Sequence, residues 1–488
     1  MLLDPVTQGL VSRIVQALFT PSLRGVNGKK LPPFDSSFPL EQFQRARLLP
    51  SEMYLDPAVY KEECEKIFSG WSAIGSTIDV NVPRSYFTQT FGRENPLGKG
   101  NRVAIVRGKN GDLNALSTSC THNGTNLFPE PAGIWSGECP YHGWCYKDDG
   151  GILSAKGLGN VGASKRDLSL NRYETQSWGP VVFVRTNPGM SPLSTMLDPL
   201  IKRTRGRDMS KFEWMGRQQY IVNCNWKAFV DNYLDGGYHV LKVHPQLARA
   251  LALKKYGTEV FDFSSLQHAP PDEKNAGVRG GNDVMYWWLF PNLMINIYGN
   301  AMDTNIVIPL GPDKCIVIFD YYIDKEKIGN FDQCQSAIKE YIDGVPGDDD
   351  KPGAHKTQLQ DMYVCELLQA GLKDSSYEPG YYAKSEIGKY HFHKLLMDEL
   401  RSNAFSPRAY PNLFKAITKA QENGLIRAPE TASELLPAVV RAMQSLGKPI
   451  KLPTGKSYGD FLRGLVDVAR NNSSAKDVLD AAEKVLAA

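Results

Sequence analysis

The 488-residue sequence lacks a long apolar run, is poor in cysteine and carries almost no excess of charge of either sign. Its most apolar stretch, residues 284–302, is interrupted by Pro291, Asn292 and Gly299, which excludes a bilayer span. Eight cysteines in so long a chain are too few for a disulfide framework, and we expect a soluble intracellular protein whose thiols bind metal or are buried. The balance of 56 basic and 53 acidic side chains leaves no overall field that would recruit nucleic acid or an anionic membrane.

The first 34 residues leave two interpretations open. They contain Arg13, Arg24, Lys29 and Lys30 but a single acid, Asp4, and several apolar residues share one helical face. This composition is typical of a transit sequence for an organelle such as a plastid or mitochondrion. It fits equally well an amphipathic helix docked on a cytoplasmic protein.

Short alternating runs beyond Trp71 predict a small β domain that contains two mixed Cys and His pairs. Cys120-Thr-His122 is separated by sixteen residues from Cys139-Pro-Tyr-His142. A Rieske [2Fe–2S] cluster needs two thiolates on one iron and two imidazoles on the other, which two loops with one Cys and one His each supply. Structural zinc sites use C-x2-4-C with H-x3-5-H and fit this spacing poorly. The spacing therefore predicts a Rieske cluster held by these four residues.

A second constellation lies in the stretch DNYLDGGYHVLKVH, residues 231–244. Its histidines, His239 and His244, and its acids, Asp231 and Asp235, are the side chains from which a two-His-one-carboxylate ferrous site is built. In a continuous helix the two histidines would lie roughly 140° apart, so we expect the helix to bend or end between them. The glycine pair in this stretch supplies the weak point. A polar helix whose histidines are merely hydrogen-bonded is the alternative.

Both constellations resemble the Rieske non-haem iron oxygenases. Residues 120–144 have Thr125 and Tyr141 where electron-transfer Rieske proteins usually carry two further cysteines, so the resemblance is to the oxygenase branch. As the resemblance implies, the cluster passes electrons to a mononuclear iron whose third ligand is Asp361, in QLQDMYVCELLQ.

The resemblance also has one gap. In much of the family an acid three residues before the first iron histidine bridges a cluster histidine and an iron histidine across a subunit boundary, but here that position is Gly236. Asp235 is our first choice to replace this acid and Asp231 the second. Asn232 matches a family position beside the iron.

Residues 285–322 alternate and are rich in aromatics, which predicts strands of an antiparallel sheet. Core packing is the ordinary role of such side chains. The segments DNYLDGGYHV, PNLMIN, MDTN and YHFHKLL, however, resemble the choline monooxygenases and related oxygenases of quaternary ammonium compounds. Because aromatic faces recognise a quaternary ammonium, we expect a pocket wall from some of Trp287, Trp288, Tyr298 and Tyr238.

The resemblance implies hydroxylation of choline to betaine aldehyde hydrate, a step of glycine betaine synthesis. An N-demethylase of glycine betaine or another betaine is the alternative, and a Rieske electron carrier without oxygenase activity is an alternative of another class. The chain has no recognisable flavin or nicotinamide motif, so reduced ferredoxin or a reductase is the expected electron donor. A homotrimer is expected, as is common in the family.

We predict an α+β fold, with a Rieske β domain, a catalytic domain of the helix-grip type in which helices cover an antiparallel sheet, and a helical C-terminal extension. The expected parts are an N-terminal segment at 1–34, a helical part of the catalytic domain at 35–70, the Rieske domain at 71–187, the mononuclear iron domain at 188–400 and an extension of unknown role at 401–488. One helix is predicted at 53–69, and four in the extension, at 411–422, 434–446, 458–470 and 477–486.

Overall fold

The computed structural model describes residues 43, 45–91, 101–186, 192–205, 207, 209–245, 248, 255–270, 284–345 and 353–401. The helices of these residues, numbered α1 to α9 in chain order, are Glu52–Leu55, Pro57–Lys66, Leu193–Thr204, Trp226–Tyr233, Val240–Val243, Lys325–Ile328, Phe331–Asp343, Ala354–Leu372 and Ile387–Arg401. The strands, β1 to β16, are Ser72–Ser76, Ser85–Phe91, Asn101–Arg107, Leu113–Ser117, Ala132–Ile134, Cys145–Tyr146, Ile152–Ser154, Arg172–Trp178, Val181–Arg185, Phe212–Val222, Gly257–Phe261, Ser264–Ala269, Val284–Leu289, Leu293–Ile297, Ala301–Gly311 and Lys314–Asp324. The helices predicted within 1–34 and beyond 410 lie outside the described residues.

The helix predicted at 53–69 is divided into α1 and α2. Pro57 occupies the first position of α2, where a missing N–H costs nothing, and the Asp56 carboxylate caps this helix by accepting from Ala58 N (2.7 Å). In the middle of α2, the buried carboxylate of Glu63 pairs with Lys227 of α4 at 2.6 Å. Helix α2 therefore anchors the start of α4.

The β domain is built on a seven-stranded sheet in the order β1-β9-β8-β4-β3-β2-β5, with the small hairpin β6-β7 beside it. Every pairing within it is antiparallel. Its core is a cluster of buried aromatic and aliphatic side chains that also holds Cys120 and Cys139. The two predicted thiol ligands therefore belong to the folded core of this domain.

The second sheet is antiparallel, as predicted, in the order β10-β16-β15-β14-β13-β12-β11. Successive partners across its register, all on one face, are Gln267, Tyr286, Asn296, Asp303 and Tyr321. Helices cover this face, which we call the helix face: Tyr233 of α4 bonds Asn296 (2.8 Å) and Tyr341 of α7 bonds Asp303 (2.5 Å).

The opposite face, here called the rear face, carries the β domain. Asn292 donates to Ala73 O (2.9 Å) and accepts from Ala73 N (3.1 Å). On β10, Arg217 pairs with Asp320 of the sheet (2.8 Å) and with Asp79 of the β domain (2.7 Å). The sheet thus separates the β domain from the covering helices, and the predicted α+β fold is confirmed. No helix in the described part of the chain is long and apolar enough to cross a membrane.

Candidate active site

The two Cys and His loops of the β domain have the same backbone design. Cys120 N donates to Thr125 O (2.8 Å), and Cys139 N donates to Trp144 O (2.7 Å). In each loop the glycine four residues after the cysteine has a positive φ, 75° in one and 70° in the other, and donates to the cysteine carbonyl. Glycine is needed here because other residues rarely adopt this conformation.

The loops bring the four predicted cluster ligands together at one end of the domain. The Nδ1 atoms of His122 and His142 lie 3.1 Å apart, and both rings are exposed while both cysteines are buried. The His122 ring stacks on Trp144, with centroids 4.8 Å apart. This arrangement places two thiols inside and two imidazoles outside, as an asymmetric cluster requires.

The electrostatics of the buried loop also suit a thiolate. Burial alone would raise the pKa of Cys139, but N–H groups of Tyr141 and His142 donate to the sulfur and lower this pKa. Tyr146 Oη lies 3.1 Å from Cys120 Sγ. Hydrogen bonds to cluster sulfurs are one means by which a protein tunes such a cluster.

His239, His244 and Asp361 meet beside the second sheet, with one ligand atom from each within 4.8 Å of the others. Asp361 Oδ1 lies 2.9 Å from His244 Nε2 and 3.5 Å from His239 Nε2. Asn232, at the end of α4, donates to the same oxygen (2.8 Å). Among the described residues this is the one group of three His, Cys, Asp or Glu side chains whose ligand atoms lie this close together.

Both imidazoles are oriented from behind through Nδ1. His239 Nδ1 donates to Asp235 Oδ2 (2.5 Å), and His244 Nδ1 lies 2.8 Å from Gln360 Oε1. A metal-binding histidine commonly uses its other nitrogen in this way, because the bond fixes the ring and its tautomer. Both Nε2 atoms are thereby directed at Asp361, and the donor set fits a mononuclear iron site.

The charges in the site fit a divalent cation as well. Burial lowers the pKa of His239, but the Asp235 and Asp361 carboxylates more than offset it and raise the pKa to about 9. Burial raises the pKa of Asp361, yet hydrogen bonds from the two histidines bring it to about 2. The carboxylate therefore stays ionised, and a cation between it and the imidazoles would take the place of a proton.

The backbone leaves the helical conformation twice here, once at the glycine pair before both histidines and again at His244, so a helix does end between the two histidines, as predicted. Helix α4 ends at Tyr233, and Gly236 and Gly237 follow with φ of 71° and 74°. His239 and His244 then flank the four-residue helix α5. A Cβ at position 236 would lie 2.1 Å from the carbonyl oxygen of Ser385, so the position has no room for a side chain.

The structure separates the two acids that sequence reasoning ranked for the bridging role. Asp235 is 6% exposed and bonds the His239 imidazole. Asp231 is also buried, but it accepts from Tyr54 Oη (2.6 Å) and His393 Nε2 (2.7 Å), away from the iron histidines. Asp231 is therefore removed from the candidates at the metal, because its side chain is held in a separate buried network.

A group of tyrosines on the helix face adjoins the triad. It consists of Tyr233, Tyr256, Tyr286, Tyr298, Tyr321 and Tyr341, and is called the tyrosine group below. The Tyr256 ring lies 3.3 Å from the point that a Cβ of Gly237 would occupy. The group therefore lies beside the loop that connects α4 to His239. Ring centroids run on at 6.5 Å to Tyr286, 6.1 Å to Tyr298 and 5.7 Å to Tyr341.

The tyrosine group presents neutral aromatic faces. Burial raises the pKa of Tyr233, Tyr256 and Tyr321, so their phenols stay protonated at physiological pH. Tyr233, Tyr256 and Tyr286 are only partly buried, in contrast to the aliphatic side chains around them.

Of the four aromatic residues predicted to line a pocket, the structure places one in this group, Tyr298. Trp287 lies on the rear face, where it stacks on Phe261 (5.7 Å). Trp288 is on the helix face but packs in the core against Phe392 of α9 (5.3 Å). Tyr238 is 69% exposed. These three predictions are corrected: Trp287 faces away from the helices, Trp288 faces them but is packed in the core, and Tyr238 lies exposed between α4 and α5.

Sequence reasoning missed three residues that lie at the triad or beside the tyrosine group. Gln360 directly precedes Asp361, and Tyr256 directly precedes β11 in a segment without a clear pattern. Asp303 stands on the buried strand β15, where it is 2% exposed. An acid within the predicted strand segment MDTN was the signal that could have marked Asp303.

Comparisons with known proteins cover most of the chain. Residues 71–165 match the family model of the Rieske [2Fe-2S] domain, and residues 209–402 match that of the ring hydroxylating alpha subunit, catalytic domain. The chain is 32% identical to the chloroplastic choline monooxygenase of Arabidopsis thaliana over 384 residues, 75% of this chain and 86% of the relative. It is 25% identical to the carnitine monooxygenase oxygenase subunit of Escherichia coli (strain K12) over 379 residues, 72% and 94% of the two chains.

Solved structures agree on the fold. A quaternary ammonium Rieske monooxygenase, CntA, in complex with L-carnitine aligns with a TM-score of 0.59 and 22% identity, over 74% of this chain and 99% of its own. Naphthalene 1,2-dioxygenase from Rhodococcus sp. aligns with a TM-score of 0.56 and 17% identity, over 75% and 99%. The two matched domains confirm the predicted cofactors, a Rieske [2Fe–2S] cluster and a mononuclear iron.

Proposed function

Because the chain belongs to the Rieske oxygenases, in the group that contains choline monooxygenase, we propose that it hydroxylates a small quaternary ammonium compound, choline first. The observation that carries this proposal is the tyrosine group beside the triad of His239, His244 and Asp361. The match of residues 209–402 to a catalytic domain sets aside the alternative of a plain electron carrier.

In this proposal Cys120, His122, Cys139 and His142 hold the cluster, and the triad holds the iron. Bound there, the two cofactors supply the reductive activation of O2 with which an oxygenase inserts one oxygen atom into a C–H bond. The chain's residues supply positioning: Asn232 fixes Asp361, and Gln360 fixes His244. Each bond holds a ligand in the orientation that the reaction needs.

Substrate recognition falls to the tyrosine group. A quaternary ammonium has no N–H to donate, so its affinity comes from aromatic faces, at about 2 kcal/mol for each desolvated cation–π contact. The phenols remain neutral, as their raised pKa values require, and their rings keep water from the cation. The Tyr256 ring lies against Gly237, in the loop that leads to His239, so in this proposal the carbon that reacts is the one that the bound cation directs past Tyr256.

Asp235 takes over the task of the acid that position 236 cannot carry. Its carboxylate already accepts from His239 Nδ1 and from the backbone N–H of His239 (2.9 Å). In the proposed trimer, a cluster histidine of a second copy reaches the same carboxylate. Reduced ferredoxin or a reductase supplies the electrons. The chloroplastic location of the plant relatives supports an organelle as the site of action.

The reaction on choline consumes O2, two electrons and two protons and gives betaine aldehyde hydrate and water. A C–H bond of the alcohol carbon breaks, a C–O bond forms, and the hydrate then loses water. The alternative is hydroxylation of an N-methyl group of a betaine, after which the N–CH2OH product expels formaldehyde and leaves a tertiary amine. The carnitine monooxygenase among the relatives keeps this alternative open. The two reactions differ only in which C–H bond lies nearest the oxidant.

The test is to incubate the reduced holoenzyme with choline and, separately, with glycine betaine, and to assay betaine aldehyde and formaldehyde in each. We expect betaine aldehyde from choline and no formaldehyde. Formaldehyde without betaine aldehyde would replace the choline assignment with the demethylase. Turnover of an uncharged aromatic compound alone would dispose of cation recognition. The His244→Ala variant, which lacks an iron ligand, is the control that should form neither product.

A further inference from the structure

We propose that Asp303 is a specificity-determining residue that recognises the positive charge of the substrate and disfavours substrates with an anionic tail. This inference rests on the proposed function. It identifies Asp303 as the carboxylate beside the tyrosine group that distinguishes substrates by their charge. The neutral aromatic rings attract a cation but carry no charge that would act on an anionic tail, whereas Asp303 places a carboxylate beside them.

The position of Asp303 is set by the register of β15. It pairs with Asn296 of β14 and with Tyr321 of β16, which puts its side chain on the helix face. The neighbouring acid on the adjacent strand, Asp320, pairs with Thr304 and points to the rear face, where it bonds Arg217. Two buried carboxylates of similar depth therefore face opposite layers of the protein.

Neutral donors hold the Asp303 carboxylate in place. Asn296 Nδ2 and Asn305 Nδ2 donate to its Oδ1 (2.8 and 2.7 Å), and Tyr341 Oη donates to its Oδ2 (2.5 Å). Asn296 also accepts from Tyr233, the neighbour of the iron-site residue Asn232. The carboxylate is thus linked to α4 through the side chains of Asn296 and Tyr233.

The Asp303 carboxylate acts electrostatically on the tyrosine group. After burial, the proximity of Asp303 is the next cause that raises the pKa of both Tyr233 and Tyr321. The negative potential that disfavours phenolate in these rings favours a quaternary ammonium on the same ring faces. It acts in the opposite sense on a carboxylate, so choline is favoured over betaines, whose anionic ends would enter the same field.

The experiment compares choline with 3,3-dimethylbutan-1-ol, which has the shape of choline but a neutral carbon in place of nitrogen. Binding to the oxidised, anaerobic holoenzyme is measured by titration calorimetry, so that no turnover is needed. The ratio of the two dissociation constants is compared between the wild type, Asp303→Asn and Asp320→Asn. The amide of Asp303→Asn retains the oxygen that Asn296 and Asn305 contact and can donate to Tyr341, so the fold should survive.

We expect the preference of the wild type for choline over its neutral analogue to fall at least tenfold in Asp303→Asn, about 1.4 kcal/mol, and to be unchanged in Asp320→Asn. An unchanged preference in Asp303→Asn would overturn the role of Asp303 and leave the proposed function intact. A wild type with no preference for the cation would overturn cation recognition itself. If Asp303→Asn is not recovered with its cluster spectrum, Asp303→Thr replaces it, because threonine is uncharged and suits a strand. The same ratio of the two dissociation constants is then measured in Asp303→Thr and tests the role of Asp303.

Discussion

Replacement of Gly236 tests whether this protein has room for the acid that related oxygenases commonly carry there. Its φ of 71° costs a residue with a Cβ about 1–2 kcal/mol. A Cβ would in addition lie 2.1 Å from the carbonyl oxygen and 2.7 Å from the carbonyl carbon of Ser385, where non-bonded atoms need roughly 3.5 Å. Because both are backbone atoms, the chain itself has to move, and the overpacking adds about 1–3 kcal/mol.

We therefore expect Gly236→Ala to lower the free energy of unfolding by about 3 kcal/mol or more, and Gly236→Glu by at least as much. Gly237→Ala is the matched control. Its φ is 74°, but its Cβ would meet only the Tyr256 ring at 3.3 Å, so about 1–2 kcal/mol is expected.

Urea unfolding of the holoprotein, followed by circular dichroism, gives the three differences, and iron content shows whether His239 still binds. If Gly236→Ala proved as stable as Gly237→Ala, the steric reasoning would be refuted. A Gly236→Glu protein that folds normally and keeps its iron would show that the position does accept an acid.

Two further predictions concern the metals. His239→Ala should lower the iron content from about three to about two per chain and leave the cluster absorption unchanged, because the cluster ligands lie on separate loops; loss of the cluster spectrum would contradict the proposed division of ligands. Asp235→Asn should keep both cofactors but slow reduction of the mononuclear iron by the cluster about 10–100-fold in single-turnover measurements, because the amide accepts poorly from the His239 imidazole. In Asp231→Asn the iron should be reduced at the wild-type rate, because the Asp231 side chain bonds Tyr54 and His393 and not an iron ligand. A wild-type rate in Asp235→Asn would contradict the assignment of Asp235 as the bridging acid.

The sequence was most informative where chemistry is encoded within a few residues. The four cluster residues were recognisable because each loop contains a complete Cys and His pair, and the structure places both pairs at one end of a β domain. Asp361 could not be found from its own surroundings, since a helical acid 117 positions after His244 looks like any solvated side chain. It was reached through family resemblance alone.

The aromatic residues show why the remainder was out of reach. Alternation along β13 requires Tyr286 and Trp288 to share one face and Trp287 to take the other, and the strand register agrees. Which face meets the helices depends on how α4, α7 and α9 pack, and no local pattern encodes that. The sequence ranked Asp235 above Asp231 but could not show that α4 ends between them, which leaves Asp231 in a network with Tyr54 and His393 and Asp235 on His239.

The attachment of the β domain to the rear face, through Asn292 and Arg217, determines how the two redox centres of one copy are connected. The second sheet lies between that domain and the helices that carry or flank the iron ligands, and packed layers of this kind are about 10 Å apart. An electron that stayed within one copy would have to cross or skirt this layer, whereas a neighbour in the proposed trimer can present its cluster from the helix side. Turnover then becomes a property of the assembly. A copy without its cluster and a copy without its iron would each be inactive alone. Assembled together, the cluster of one copy could reduce the iron of the other and restore turnover.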